Sequence, residues 1–336
     1  MKITSRNVML SVGLIACAVT VSSAMDAPAG VSPPDWAYPG NVPGPAQPPQ
    51  DANQQVRVPG STISFARKDL RNLFAVADWH PEEHPALPEV VVHGRSPEVR
   101  ACGYCHLPGG EGRPENAPLA GLPEAYIAQQ LADFKSGART SSVPHRLPTD
   151  WMATIGKAMS DAEIRSAAAY FAKLPLRSHL SVIETATVPR TVARGWLLTI
   201  VPNGGTEPLG DRIVETPADI DRFEQRDAHV PILAYVPVGS IAKGKALAHG
   251  SDASGIPACA ACHGDDLGGT DEIPSLAGKS PTYIVRQLHD FRSGARSGPS
   301  AEAMQAVVAP MRQADMLNLA AYLASLKPQK THIAAR

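Results

Sequence analysis

The sequence predicts a mainly α protein: two tandem helical domains with a small β-containing insertion between them. Three observations predict this. Residues 102–139 align without a gap on 259–296, and 18 of the 38 positions are identical. Each copy contains a segment whose apolar residues fall on one helical face. Each copy also opens on the same short motif, Cys102-Gly103-Tyr104-Cys105-His106 and Cys259-Ala260-Ala261-Cys262-His263.

C-x-x-C-H is the attachment signature of a c-type haem. Two intervening residues let one turn of chain set both sulfurs over one porphyrin edge, where they form thioethers. The next residue then reaches the iron as proximal ligand. A lone C-x-x-C would fit a redox dithiol or half a zinc site equally well. Two copies, each followed at once by His, favour haem. The expectation is two covalently bound haem c groups, held by Cys102, Cys105, Cys259 and Cys262, with His106 and His263 on the irons.

A chain of 336 residues has room for two or three domains. Aromatic residues make up 5% and 32 residues are proline, which suits small domains whose core is partly supplied by a flat cofactor. The formal net charge of −1 gives no basic footprint, so nucleic acid is not an expected partner.

Residues 1–24 have a basic start (Lys2, Arg6), an apolar run from Val8 to Val21, and Ser22-Ser23-Ala24, the pattern of a secretory signal. A competing reading takes Leu14-Ile15-Ala16-Cys17 as a lipobox; the protein would then be membrane-associated through a lipid on Cys17. No later stretch is apolar for the length of a membrane span. Either way the expected location is the periplasm.

Residues 25–90 form a Pro-rich extension, extended or draped over a surface in its first part. Residues 65–76 are expected to make one or two helical turns, with Leu70, Leu73 and Phe74 on one side. His80 and His84 suggest a metal pair, but Pro81 and Pro85 disfavour the helix that would align them, so a solvated loop is expected.

The first domain is expected over 91–175 and the second over 241–328. Residues 126–135 and 283–292 read as helices; Ile127, Leu131 and Phe134 share one face, and Gly137 and Gly294 stop them. Ser160-Asp161-Ala162-Glu163 is a capping box that opens a helix with Ile164, Ala168 and Phe171 inward. The corresponding second helix, around Met316, Ala320 and Leu323, has a weaker start signal. Residues 176–240 are rich in β-branched segments separated by turns such as Asn203-Gly204-Gly205. This insertion either fixes the two domains relative to each other or docks a partner.

An iron with one His needs a second ligand or an open position, a choice that separates carrier from enzyme. After Arg139 and Arg296 the copies differ by five residues, then return to register. Met152 then pairs with Met304 and Met159 with Met311. Met159 precedes a helix cap, where apolar residues act as packing staples. Met152 and Met304 are therefore the expected axial ligands. The alternatives are that both are core, with His145 on the iron or the position open. Arg139 and Arg296 are candidates for haem-propionate contacts, since guanidinium suits a carboxylate; helix packing would account for them equally.

These residues together resemble the dihaem class I cytochromes of the cytochrome c4 kind. The matching stretches are the two C-x-x-C-H motifs, Pro118-Leu119-Ala120-Gly121 (Ser275 replaces the proline in the second copy), and Tyr126-Ile127 with Gln130-Leu131 and Asp133-Phe134. Met152-Ala153-Thr154-Ile155 and Ala168-Ala169-Tyr170-Phe171 complete them. The resemblance covers 102–175 and 244–327. It implies class I cytochrome c domains, haems near enough to exchange electrons, and single-electron shuttling between a periplasmic donor (a dehydrogenase or quinol-oxidising complex) and a terminal oxidase or reductase. The extension and the insertion depart from it and suggest a dedicated partner. Two further readings stand beside the carrier: a dihaem oxidoreductase, peroxidase-like or thiosulfate-dehydrogenase-like, and a haem subunit docked on a dehydrogenase.

Overall fold

The computed structural model describes residues 32–40, 42, 51–250 and 254–328. The signal and lipidation readings at residues 1–24, with Cys17, lie outside them. After a short hairpin of β1 (Gln55–Val56) and β2 (Phe65–Ala66), the first half is helical. It comprises α1 (Glu89–Val92), α2 (Cys102–His106), α3 (Glu124–Ser136), α4 (Leu147–Ala158) and α5 (Asp161–Ala172). Strands follow: β3 (Leu180–Glu184), β4 (Thr187–Pro189), β5 (Thr191–Arg194), β6 (Leu197–Ile200), β7 (Thr206–Pro208), β8 (Val214–Pro217), then α6 (Ile220–Glu224) and β9 (Ile232–Val236). The second half is helical again: α7 (Ser240–Ala248), α8 (Ala260–His263), α9 (Pro281–Arg292), α10 (Glu302–Val308) and α11 (Gln313–Ser325).

The helices end where local chemistry says they should. Ile127, Leu131 and Phe134 form the buried stripe of α3, and Gly137 closes it in the left-handed region at φ +84°. Ser160 caps α5: its hydroxyl accepts the Glu163 N–H at 3.3 Å while Glu163 accepts the Ser160 N–H at 2.7 Å. The start of α11, weakly marked in sequence, is held by Asp315, which accepts the Arg312 N–H at 2.8 Å.

Each half buries its own cluster. Val91, Val99, Ala168 and Phe171 anchor the first; Val285, Val308, Met316 and Ala320 anchor the second. The halves share a backbone plan. Gly112 donates to the His106 carbonyl at 3.0 Å, and Gly269 to the His263 carbonyl at 2.9 Å. Both glycines have positive φ, and a Cβ on either would lie 2.5 Å from backbone of the returning loop. Glycine is thus required at this turn, which folds the loop back onto the motif.

The intervening segment is ordered, as its strand pattern suggested. β3 pairs parallel with β9, and β8 antiparallel with β9. A parallel pair needs a long crossover, and here residues 185–231 form it, carrying the β4–β7 and β5–β6 pairs.

Two expectations fail in the extension. Residues 65–76 are not helical beyond a 3-10 turn at Asp69–Arg71. Phe65 sits in β2, its ring edge-on to Trp79 at 4.7 Å, within a small cluster of Val56, Val58, Leu70 and Ala77. Tertiary burial overrides the local pattern. The segment around His80 is not a solvated loop either. Pro81 starts a 3-10 turn, Pro81–Glu83, and His80 is 7% exposed, stacked on His229 at 3.9 Å and 17°. Glu83 meets both His229, at 3.2 Å, and Arg177. Ligand atoms of His80, Glu83 and His229 lie within 4.8 Å of one another. The cluster joins the extension, through His80 and Glu83, to the strand segment, through His229 and Arg177. His84 binds Asp78 instead, at 3.2 Å.

Candidate haem sites

In the single turn of α2, Cys102 and Cys105 lie three residues apart on one face, and His106 follows. His106 is 7% exposed, and its Nδ1 lies 2.7 Å from the Ala117 carbonyl oxygen. That contact fixes Nδ1 as the N–H donor and leaves Nε2 to ligate, the usual support for a metal-bound imidazole. The second motif repeats it: His263 Nδ1 lies 2.8 Å from the Pro274 carbonyl oxygen. Burial lowers both imidazoles' proton affinity, which keeps them neutral as a ligand must be. Burial pushes the Cys102 thiol up to about 12 and Cys259 up to about 11. The four cysteines form no disulfide. An uncharged thioether suits that apolar setting where a thiolate does not.

A cleft of about 1330 Å³, its open mouth included, lies beside α2. Leu131, Phe134, Ile155 and Phe171 give it apolar walls, and Cys102, Cys105 and His106 line it too. Apolar walls, paired sulfurs and one free imidazole nitrogen fit a covalently held porphyrin. Both Met152 and Met159 line the cleft, but differently. Met159 is 2% exposed and belongs to the core, whereas Met152 is half-buried. The second half repeats the contrast: Met311 is 2% exposed and Met304 is half-buried. His145, in a left-handed turn at φ +56°, is exposed and is not among the residues lining the cleft.

The cleft's charged lining comprises Arg100, Arg139, Arg146 and Arg286 with Glu115 and Asp290. Burial, with Arg286 adjacent, pushes Arg146 down to about 9. Burial alone would raise the Tyr126 phenol, but the Arg296 and Arg139 guanidiniums outweigh it and hold it below its ordinary range. Arg139 donates to Gln130 at 2.8 Å and Gln287 at 2.9 Å; Arg296 donates to Gln130 at 2.8 Å and Tyr126 at 3.2 Å. The acceptors are two glutamine side-chain oxygens and a phenol oxygen. Arg286 donates to the carbonyl oxygens of Ala37, at 2.9 Å, and Pro114. Repeat logic could not find Arg146 or Arg286, because neither has an arginine counterpart in the other copy.

A family model described as cytochrome c matches residues 241–327. The thiosulfate dehydrogenase electron acceptor of Thiomonas intermedia is 30% identical over 242 residues, which cover 70% of this chain and 83% of that protein. This chain belongs to the dihaem cytochrome c4-like family. Cytochrome c4 of Pseudomonas aeruginosa is 27% identical over 234 residues, covering 68% of this chain and 85% of its own. The crystal structure of reduced cytochrome c4 from Pseudomonas stutzeri matches at 24% identity and a TM-score of 0.43, covering 67% of this chain and 93% of its own.

As a c4-like cytochrome, the chain has a mostly helical class I cytochrome c fold, binds haem c covalently and transfers electrons. Haem c, when attached, supplies a one-electron iron couple. Cys102, Cys105 and His106 line the cleft that would hold it, and the carbonyl oxygens of Ala117 and Pro274 would orient the two imidazoles.

Proposed function

We propose that this cytochrome carries two haems, each bound by paired thioethers and a His/Met iron, and shuttles single electrons in the periplasm. The assignments are His106 with Met152 and His263 with Met304. Donor and acceptor are a dehydrogenase or quinol-oxidising complex and a terminal oxidase or reductase. The two haem units are taken as residues 91–175 and 241–328. The observation that carries the reading is the paired contrast between half-buried Met152 and Met304 and core-buried Met159 and Met311. A side chain kept for the cofactor retains accessibility; a packing staple does not. Thioether and imidazole together form a soft, neutral pair that favours ferrous iron and leaves no vacancy for substrate. Arg139, which lines the cleft, and Arg296, which shares its hydrogen-bond network, are proposed to contact the haem propionates. No helix among the described residues is long and apolar enough to cross a membrane.

The test is carbon monoxide added to the reduced protein without denaturant. No spectral change is expected. Ready binding at either haem would sink the carrier reading and favour a dihaem oxidoreductase.

A second reading keeps the same chemistry and specifies the donor: a dehydrogenase that oxidises thiosulfate. It is favoured by the name of the relative at 30% identity. Reduction of the cytochrome by thiosulfate, dependent on an added dehydrogenase fraction, would support it. Reduction by thiosulfate alone would point to an enzyme instead.

A further inference from the structure

The two haem motifs are not equally accessible. In the first, chain from both added segments lies over the thioether edge. Arg226, from the strand segment, stacks on the Tyr104 ring at 3.4 Å. Its Nη1 donates to the Tyr104 carbonyl oxygen at 2.7 Å and its Nε to the Leu70 carbonyl oxygen at 3.3 Å. Arg226 is held for this in a left-handed conformation, φ +62°, uncommon for a residue with a side chain. From the extension, Val76 packs so tightly on Gly103 that a Cβ there would sit 3.2 Å from it, and the Ala101 N–H donates to the Leu73 carbonyl at 3.0 Å. Next along the loop, Arg113 stacks on Phe223 at 3.8 Å and pairs with buried Glu115 at 3.1 Å.

The second motif has no such cover among the described residues. Ala261 and Cys262 are exposed. The loop that returns to His263 presents Asp265, Asp266, Asp271 and Glu272, all exposed. By the repeat, Glu272 corresponds to Glu115, so one glutamate is buried and paired in the first copy and free to solvent in the second. Asp265, Asp266 and Asp271 correspond to Pro108, Gly109 and Pro114, so the first copy lacks the other three charges.

We infer that the extension and strand segment close the first haem's thioether edge, and that external electron exchange passes through the second haem, at the Cys262 edge, with a redox protein whose contact face is basic. This rests on the carrier reading and adds direction to it. Electron tunnelling falls steeply with edge separation, so an edge under a layer of protein is a poor port. An acidic rim around an open edge steers a cationic partner.

The test uses the full haem-loaded protein, isotope-labelled, with two redox-inert paramagnetic probes: hexaamminechromium(III), a cation, and a neutral nitroxide. Both are expected to broaden backbone amides of residues 260–266 and 271–272 and to spare 103–113. The cation should act more strongly, and lose that advantage in the combined variant Asp265→Asn, Asp266→Asn, Asp271→Asn, Glu272→Gln. Stopped-flow oxidation by a cationic cobalt(III) complex should slow in that variant by roughly ten-fold at low salt, while hexacyanoferrate(III) should not slow. Arg226→Ala should bring Gly103–Cys105 into the nitroxide's reach. Equal broadening at both motifs in the unmodified protein would overturn the inference, whether or not the variant folds, as would unchanged rates in the rim variant. The footprints are read on the reduced protein, where six-coordinate iron is diamagnetic; an open, high-spin iron would broaden these amides before any probe is added, so failure of the His/Met reading would show separately, there and in the carbon monoxide experiment.

Discussion

Arg139 and Arg296 face each other across the junction of the two halves, joined by an antiparallel backbone bridge. Each donates to the other half's glutamine: Arg139 to Gln287 at 2.9 Å and Arg296 to Gln130 at 2.8 Å. Each also stacks on a phenylalanine of the helix before it, Arg139 on Phe134 at 4.7 Å and Arg296 on Phe291 at 4.0 Å. The repeated Gln-x-x-Asp-Phe and Ser-Gly-Ala-Arg stretches thus build one pseudo-symmetric joint as well as two helices.

Replacing Arg296 with Met leaves Gln130, Gln287 and Tyr126 short of donors in a buried place. The expected loss is roughly 2–4 kcal/mol, read from the urea midpoint. The Tyr126 phenol should titrate higher, because the largest opposing influence on it is gone. Ultraviolet difference titration reads that shift.

On the proposed reading, Met152 is an iron ligand and Met159 a packing staple. Met159→Leu conserves volume in a packed core and should cost less than about 1.5 kcal/mol, with the sulfur-to-iron band intact. Met152→Leu should remove about half of that band, since two irons contribute equally. Absorbance of the oxidised variants decides the assignment.

Glu163 ties the α5 cap to acid stability. Burial acts upward on its carboxyl, but the Ser160 N–H and Arg95 outweigh it and lower its proton affinity. A depressed carboxyl contributes stability above its unfolded value, near 4.3, and loses it as pH falls through the folded value. Glu163→Ala should cost about 1 kcal/mol at pH 7, with variant and parent converging below the carboxylate range. Urea melts at several pH values show it.

Lys279 has the opposite sign. It is 5% exposed, its ammonium has no protein partner among the described residues, and burial pushes it down to about 8. The charged form is penalised fully below that value, and the penalty fades as pH rises toward the free lysine value of about 10.4. Lys279→Met should therefore stabilise the protein by roughly 1–3 kcal/mol near pH 6–7, with the gain shrinking above pH 8. Thermal melts at pH 6 and pH 10 make the comparison.

What the sequence showed and what it hid divide along physical lines. The motifs, the α3, α5 and α9 helices and the strand character of 176–240 were legible because they depend on local spacing, caps and turns. The pairing of Met152 with Met304, on which the proposed ligation rests, is visible because the chain repeats itself. The packing of Arg226 on Tyr104 was not: 122 residues separate them, and no local pattern encodes a stacking partner. His80 misled for a related reason, since its prolines argue against a helix but say nothing of His229 and Glu83 arriving from elsewhere. Arg146 and Arg286 stood outside the repeat.

The most direct measurement is the oxidised optical spectrum of the protein made with a periplasmic haem-attachment system, beside a pyridine haemochrome count. Two haems per chain, with the far-red sulfur-to-iron band at the strength of two sites, is the predicted result. A count of two with that band at half strength or absent would contradict His/Met ligation at Met152 or Met304, and with it the carrier account.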